Sequence, residues 1–186
     1  WLSLLMVCFF VAGIFSISMN VKAADTDSSA PEIPGLTFES EMQNDFAECF
    51  HIYYYNDDYT LIDVPDSGQF LLVPEGKTAP DGLDSDIVVL QKPLDNIYLA
   101  ATSAMSLFSS LDALDNIKFS SLQESGWYVE AAKQAMEDGS IVFAGKYSEP
   151  DYELLVNSGC NLAIESNMIL HTPKVQERME NARPPI

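Results

Sequence analysis

The alternation of short apolar runs with amphipathic stretches in the second half of the chain restricts its fold more than any other feature. Apolar runs typical of buried strands occupy residues 96–100, 117–120, 141–144 and 161–165. Helix-like patterns follow them at residues 103–114, 127–137, 151–158 and 172–181. Strands and helices in this order predict βαβ units around a mostly parallel sheet. We therefore expect a three-layer αβα, Rossmann-like α/β fold.

The first of these helical patterns has its apolar residues at helical spacing. The residues are Met105, Leu107, Phe108, Leu111 and Leu114, which recur at intervals of one to three residues. This spacing predicts that they form one apolar stripe on a helix that packs against the sheet.

Residues 36–92 have a different pattern, typical of antiparallel strands. The runs at 50–55 (FHIYYY) and 59–64 (YTLIDV) are aromatic and β-branched, and they flank the turn-forming residues 56–58 (NDD). Two such runs around a short polar turn predict a β-hairpin. Further strand-like runs occupy residues 69–73 and 86–90.

The charge and the motif content exclude several functions. The 186 residues contain 28 acidic and 9 basic side chains, a net charge of -19. A nucleic-acid-binding protein needs a basic surface, so we expect no nucleic-acid partner. The three cysteines are too few for a disulfide scaffold, although Cys49 and Cys160 remain free to pair. No zinc-ligand spacing and no glycine-rich phosphate motif occurs, so we predict no metal site and no cofactor.

The N-terminal segment is typical of an export signal. Residues 2–17 are almost wholly apolar and are followed by Val21, Lys22 and Ala23, which are typical of a cleavage site. The apolar run is shorter than the ~20 residues of a membrane span, the alternative interpretation. We predict a signal peptide over residues 1–23 and a linker over residues 24–35. Cys8 could accept a lipid, but we interpret it as part of the apolar run.

Ligands of open α/β sheets bind beyond the carboxyl ends of the strands, which selects four loops. Thr102 and Ser103 open a helix and offer hydroxyls for an anionic group, or cap that helix. Trp127 and Tyr128 follow the next strand, and they either stack on a flat ligand or pack in the core.

The other two loops follow the third and fourth strands. Lys146 and Tyr147 form a ligand rim or a solvated turn. Ser166 and His171 in the last loop raise the alternative of a nucleophilic hydrolase, but no nucleophile elbow is present. We predict no catalytic residue. The candidate ligand contacts are Thr102, Ser103, Ser120, Trp127, Lys146, Tyr147, Glu165, Ser166 and Asn167.

From about residue 59 onward, the order of elements resembles the substrate-binding proteins of ABC importers that capture ferric siderophores, haem or cobalamin. The residues that carry the resemblance are 92–104 (KPLDNIYLAATSA), 145–155 (GKYSEPDYELL), 160–166 (CNLAIES) and 183–186 (RPPI). The resemblance implies that residues 93–186 are the first α/β lobe of a two-lobed receptor. The second lobe of that family does not occur in this sequence.

The resemblance also implies a function and two partners. The chain would be an exported, monomeric receptor at the cell surface or in the periplasm, with association with the membrane as a further option. It would capture a metal chelate and deliver it to an ABC permease. In this family an acidic residue on each lobe docks on permease arginines, and the corresponding residue is Glu153. A carboxylate in the first turn of a helix is also favoured by the helix dipole. The alternatives are an extracellular flavodoxin-like hydrolase, which would use Ser166 or His171, and a surface adhesion or scaffold domain.

Overall fold

The computed structural model describes residues 30–181. The predicted signal peptide, Cys8, residues 24–29 of the linker and the motif at residues 183–186 lie outside this range. Within it, the chain forms a mixed α/β structure with sheets that are partly parallel and four α-helices. No helix in the described range is both long and apolar enough to cross a membrane.

The first part of the described chain is a five-stranded sheet. Its strands, in the order in which they pair, are β1 (Phe38–Glu41), β2 (His51–Tyr55), β3 (Thr60–Val64), β4 (Gly68–Val73) and β5 (Ile87–Gln91). The predicted hairpin is confirmed, because β2 and β3 pair antiparallel around a 3₁₀ turn at Asn56–Asp58. The hairpin is extended on both sides, by β1 and by β4, and β5 then pairs parallel with β4.

A second sheet of four parallel strands follows. Its strands are β6 (Ile97–Leu99), β7 (Ile117–Ser120), β8 (Val142–Phe143) and β11 (Leu162–Ile164). They lie in the order β11-β6-β7-β8. A small antiparallel ribbon, β9 (Gly145–Lys146) with β10 (Glu149–Pro150), leads away from β8. The predicted parallel pairing of these strands is therefore confirmed.

The helices connect the parallel strands in the predicted order, but they are shorter than predicted. They are α1 (Ala104–Ser110), α2 (Glu130–Glu137), α3 (Tyr152–Asn157) and α4 (Pro173–Asn181). The predicted apolar stripe on α1 is partly wrong. Met105 is fully buried, whereas Leu107 is 63% and Leu111 is 76% exposed. Leu107 lies two residues after Met105, about 200° round the helix, so the two side chains cannot both face the sheet. Leu111 follows the end of α1 at Ser110.

Residues that alternate along the parallel strands pack in two separate clusters. Leu99 and Ile117 pack with Met105 of α1 and Ala132 of α2. Tyr98 packs in the other cluster, with residues from β7 and α3. Since successive side chains of a strand point to opposite faces, the two clusters lie on opposite faces of the sheet. The five-stranded sheet has its own core, around Tyr53, Tyr55, Leu61, Leu71 and Val73.

Candidate functional site

Parallel pairing brings the carboxyl ends of β6, β7, β8 and β11 to one edge of the sheet. We call this surface the carboxyl edge; it comprises residues 101–103, 121–129, 145–147 and 165–168. Backbone hydrogen bonds join its segments to one another. The amides of Ala100 and Ala101 both donate to the carbonyl oxygen of Ile164, each over 2.9 Å. The amide of Ser121 donates to the carbonyl oxygen of Leu99 over 3.1 Å. Three of the four segments therefore begin at positions that backbone hydrogen bonds hold in place.

Thr102 and Ser103 are exposed at the middle of this edge. Ser103 occupies the N-cap position of α1, but its side chain makes no capping hydrogen bond. For Ser103, this geometry argues against the capping interpretation that the sequence favoured. Both side chains are therefore accessible to a ligand.

Ser120 and Trp127 are core residues in this structure. Ser120 is completely buried and Trp127 is 4% exposed. The indole N–H of Trp127 donates to Oγ of Ser120 over 3.0 Å, and Oγ also accepts from the amide of Leu122. The same hydroxyl donates to the carbonyl oxygen of Leu122 over 2.7 Å. Their polar groups are used within the protein, which favours core packing over ligand contact.

The exposed aromatic residue of this loop is the next one, Tyr128, which is 98% exposed. Trp127 has extended backbone angles, so its side chain and that of Tyr128 point in opposite directions. Once one ring enters the core, the other must face solvent. The sequence placed both aromatic residues after the strand but gave no basis for choosing between them.

The ribbon β9–β10 supplies the third segment of the edge. Gly145 has a φ of +83°, and a Cβ atom there would collide with the backbone of Glu149 and Asp151. Its carbonyl oxygen accepts a hydrogen bond from the phenol of Tyr98 over 3.1 Å. The ribbon is thus held against the sheet, with Lys146 exposed and Tyr147 partly buried.

Glu165 directly follows β11 and is the most unusual ionisable group of the edge. Both of its carboxyl oxygens are buried, and neither has a hydrogen-bond partner. This burial raises the pKa of Glu165 to about 7. Burial also raises the pKa of Tyr98, and the charge of Glu165 raises it further. The carboxyl group therefore lies near Tyr98, on the face that α3 covers.

Ser166 and the residues after it form a compact turn. Oγ of Ser166 accepts from the amide of Met168 over 3.3 Å and so caps a 3₁₀ turn at Asn167–His171. Asn167 and His171 are exposed. No hydrogen bond within residues 30–181 joins Ser166 to His171. The pair shows no geometry of a nucleophile with its base.

Glu153 is exposed in the first turn of α3. The cap of this helix is Asp151, whose carboxylate accepts from the amide of Leu154 over 3.0 Å. Glu153 is therefore not needed as a cap. In the described part of the chain, no group of three potential metal ligands is close enough to hold an ion, and Cys49 and Cys160 are not paired.

A concavity lies away from the carboxyl edge. It has a volume of about 400 Å³ and is lined by Leu72, Glu75, Lys92, Pro93, Leu94, Asp95 and Asn116. Asp95 and Asn116 precede β6 and β7, so this groove lies at the amino ends of the parallel strands.

Comparison with known proteins does not identify a relative. No family model, no curated protein and no solved structure matches this chain.

Proposed function

We propose that this protein is the exported substrate-binding component of an ABC importer, which captures a metal chelate and delivers it to a membrane permease. The observation that carries the proposal is the carboxyl edge of the four-stranded parallel sheet. Its segments include an exposed aromatic ring, Tyr128, and the accessible side chains of Thr102 and Ser103. Ligand sites of this kind combine apolar walls with a few polar groups.

The proposal includes a three-layer fold of the lobe. It is supported by the two clusters on the parallel sheet, one shared with α1 and α2 and the other with α3. In such folds the ligand lies beyond the carboxyl ends of the strands. The carboxyl edge would then be one wall of a cleft, and the second lobe implied by the resemblance would supply the other wall.

The hydrolase alternative gains no support from the site. Oγ of Ser166 accepts a hydrogen bond from the turn that it caps, and His171 lies at the far end of that turn. A receptor requires no such pair, because its ligand is bound and released unchanged.

Calorimetric titration of the full-length protein tests the proposal. The probes are a ferric hydroxamate siderophore, haem and cyanocobalamin. We expect one of them to bind, and Tyr128→Ala to weaken it about two- to tenfold through loss of an aromatic contact. Tyr54→Ala is the matched control, since Tyr54 is an exposed tyrosine of β2 in the other sheet. Absence of binding to all three probes, or equal losses in both variants, would contradict the proposal.

Export is tested separately, by fractionation and N-terminal sequencing. We expect the mature protein outside the cytoplasmic membrane with residues 1–23 removed. Recovery of an uncleaved chain in the cytoplasm would refute export.

A further inference from the structure

The charges along the carboxyl edge are unsuited to an acidic ligand. Lys146 is the only basic side chain among its four segments, as defined above. The same segments contain Glu124 and Glu165, and exposed Glu149 pairs with Lys146 across the ribbon. The whole chain has a net charge of -19, which attracts cations and repels anions at long range.

Glu165 adds an unsatisfied acceptor to this acidic edge. Buried polar groups are almost always hydrogen-bonded in proteins, yet both oxygens of this carboxyl group lack a partner. The phenol of Tyr98, whose pKa the charge of Glu165 raises, donates to Gly145 instead. Tyr152 lies under the guanidinium of Arg178, with 4.0 Å between Cζ and the centre of the ring. No hydrogen-bond donor of the described residues therefore pairs with the carboxyl group.

The position of Glu165 makes contact with a ligand feasible. The residue as a whole is only partly buried, although its oxygens are covered. The next two residues, Ser166 and Asn167, form the start of the surface turn. A rotation of the side chain toward the edge would hydrate the carboxyl group or pair it with a ligand, and either outcome removes the cost of burying it without a partner.

We propose, on the basis of the binding function proposed above, that Glu165 selects metal chelates that present a cationic or N–H donor group and disfavours chelates that present carboxylates. A pendant ammonium group or a corrinoid amide fits this requirement. The propionates of haem and the carboxylates of citrate-type siderophores do not.

The ionisation of the neighbouring groups is compatible with this role. Burial raises the pKa values of Tyr98, Tyr152 and Cys160. The ordinary pKa values of tyrosine and cysteine already lie above neutral pH, so these three groups stay uncharged there. Glu165 is therefore the group of this cluster that changes charge near pH 7. A cationic ligand favours its ionised form, so the affinity for such a ligand should increase between pH 6 and pH 8.

A pair of chelates that differ in one charge provides the test. Ferrioxamine B carries a free ammonium group, and its N-acetylated form is the neutral analogue. We expect the wild-type protein to bind ferrioxamine B about tenfold more tightly than the acetylated chelate, because a hydrogen bond to a charged group has about this effect. In Glu165→Gln the ratio should fall to near one. Glu149→Gln, which changes an exposed residue of the ribbon, should leave the wild-type ratio of affinities unchanged.

The outcomes separate this proposal from the receptor function. Equal wild-type affinities for the two ferrioxamines would overturn the selectivity while leaving the receptor function intact. The selectivity would also be overturned if ferric citrate or haem bound more tightly than ferrioxamine B. It would be overturned as well if the ratio of the two ferrioxamine affinities were unchanged in Glu165→Gln. The wild-type comparison does not depend on how well the variant folds. Binding of none of these chelates, nor of cyanocobalamin, would refute the receptor function and this selectivity with it.

Discussion

Ser120 shows how one hydroxyl group fixes the start of a loop. It accepts hydrogen bonds from the indole of Trp127 and from the amide of Leu122, and it is completely buried. These contacts hold the chain on both sides of residues 123–126 against the end of β7. The exposed position of Tyr128 depends on this anchoring.

The first prediction concerns this hydroxyl group. Ser120→Ala should lower the free energy of unfolding by about 1–3 kcal/mol, because it leaves the buried indole N–H of Trp127 and the partly buried amide of Leu122 without an acceptor. Denaturant unfolding measures the change. Ser125→Ala, an exposed substitution in the same loop, should stay within about 0.5 kcal/mol of wild type. Similar effects of the two substitutions would show that Ser120 does not anchor the loop.

The second prediction concerns the pH dependence of stability at Glu165. Burial raises its pKa in the folded protein to about 7, from an ordinary value of 4.5. The folded state therefore retains a proton that the unfolded state has released, and folding should lose stability as the pH rises from about 4.5 through 7. Glu165→Gln removes this dependence, so its stability relative to wild type should be greater at pH 8 than at pH 5.

Thermal unfolding at both pH values tests this prediction, with Glu153→Gln as the exposed control. Parallel pH profiles for wild type and Glu165→Gln would contradict the assignment of a raised pKa to this carboxyl group.

Among the secondary-structure elements, the ribbon β9–β10 depends most directly on a glycine. Gly145 and Gly139 both have a φ of +83°, but only Gly145 is crowded, by the backbone of Glu149 and Asp151. Alanine substitutions at the two positions therefore distinguish the cost of the left-handed backbone from the cost of the steric clash.

The third prediction uses this pair. Gly139→Ala should cost about 1–2 kcal/mol of stability, from the left-handed conformation alone. Gly145→Ala should cost a further ~1–3 kcal/mol, because the ribbon must shift to admit the methyl group. Denaturant unfolding of the two variants measures the difference, and equal losses would be inconsistent with close packing at Gly145.

Strand positions were predictable because their signals are local. The NDD turn between two aromatic runs indicates a hairpin whatever surrounds it, and the structure places β2 and β3 there. The strand β1 was missed because its sequence, FESE, is short and acidic. Its pairing with β2 depends on tertiary contacts, including those of Phe38 with Tyr53 and Tyr55.

Burial was less predictable than position. The apolar residues of 103–114 suggest one stripe, but Leu107 lies about 200° round the helix from Met105 and Leu111 follows the end of α1, so both are exposed. The position of Glu165 after β11 followed from the strand pattern. The burial of its carboxyl group did not, because it depends on residues far apart in the sequence, such as Tyr98 and Tyr152.

At the scale of the whole molecule, opposite faces of the parallel sheet have different neighbours. α3, which bears Glu153, packs with the Tyr98 cluster, whereas α2 packs with the Leu99 cluster. A surface charge on each helix therefore offers a matched comparison for permease docking. Glu137, at the end of α2, is exposed and supplies the control.

The fourth prediction is that Glu153→Arg abolishes most uptake of the chelate and leaves its affinity unchanged. A docking carboxylate that faces permease arginines would be replaced by a like charge. Glu137→Arg should leave both uptake and affinity as in wild type. Uptake by cells that carry each full-length variant, with calorimetry of the purified proteins, measures the two properties. Normal uptake by Glu153→Arg would remove Glu153 from the docking surface.

The position of the bound chelate decides whether the carboxyl edge is the ligand site. Amide hydrogen exchange of the full-length protein should be compared with and without a chelate that binds. If the chelate binds at the carboxyl edge, exchange should become slower at residues 101–103, 121–129, 145–147 and 165–168. Slower exchange confined to the groove around residues 92–95 and Asn116, at the opposite ends of the strands, would contradict it.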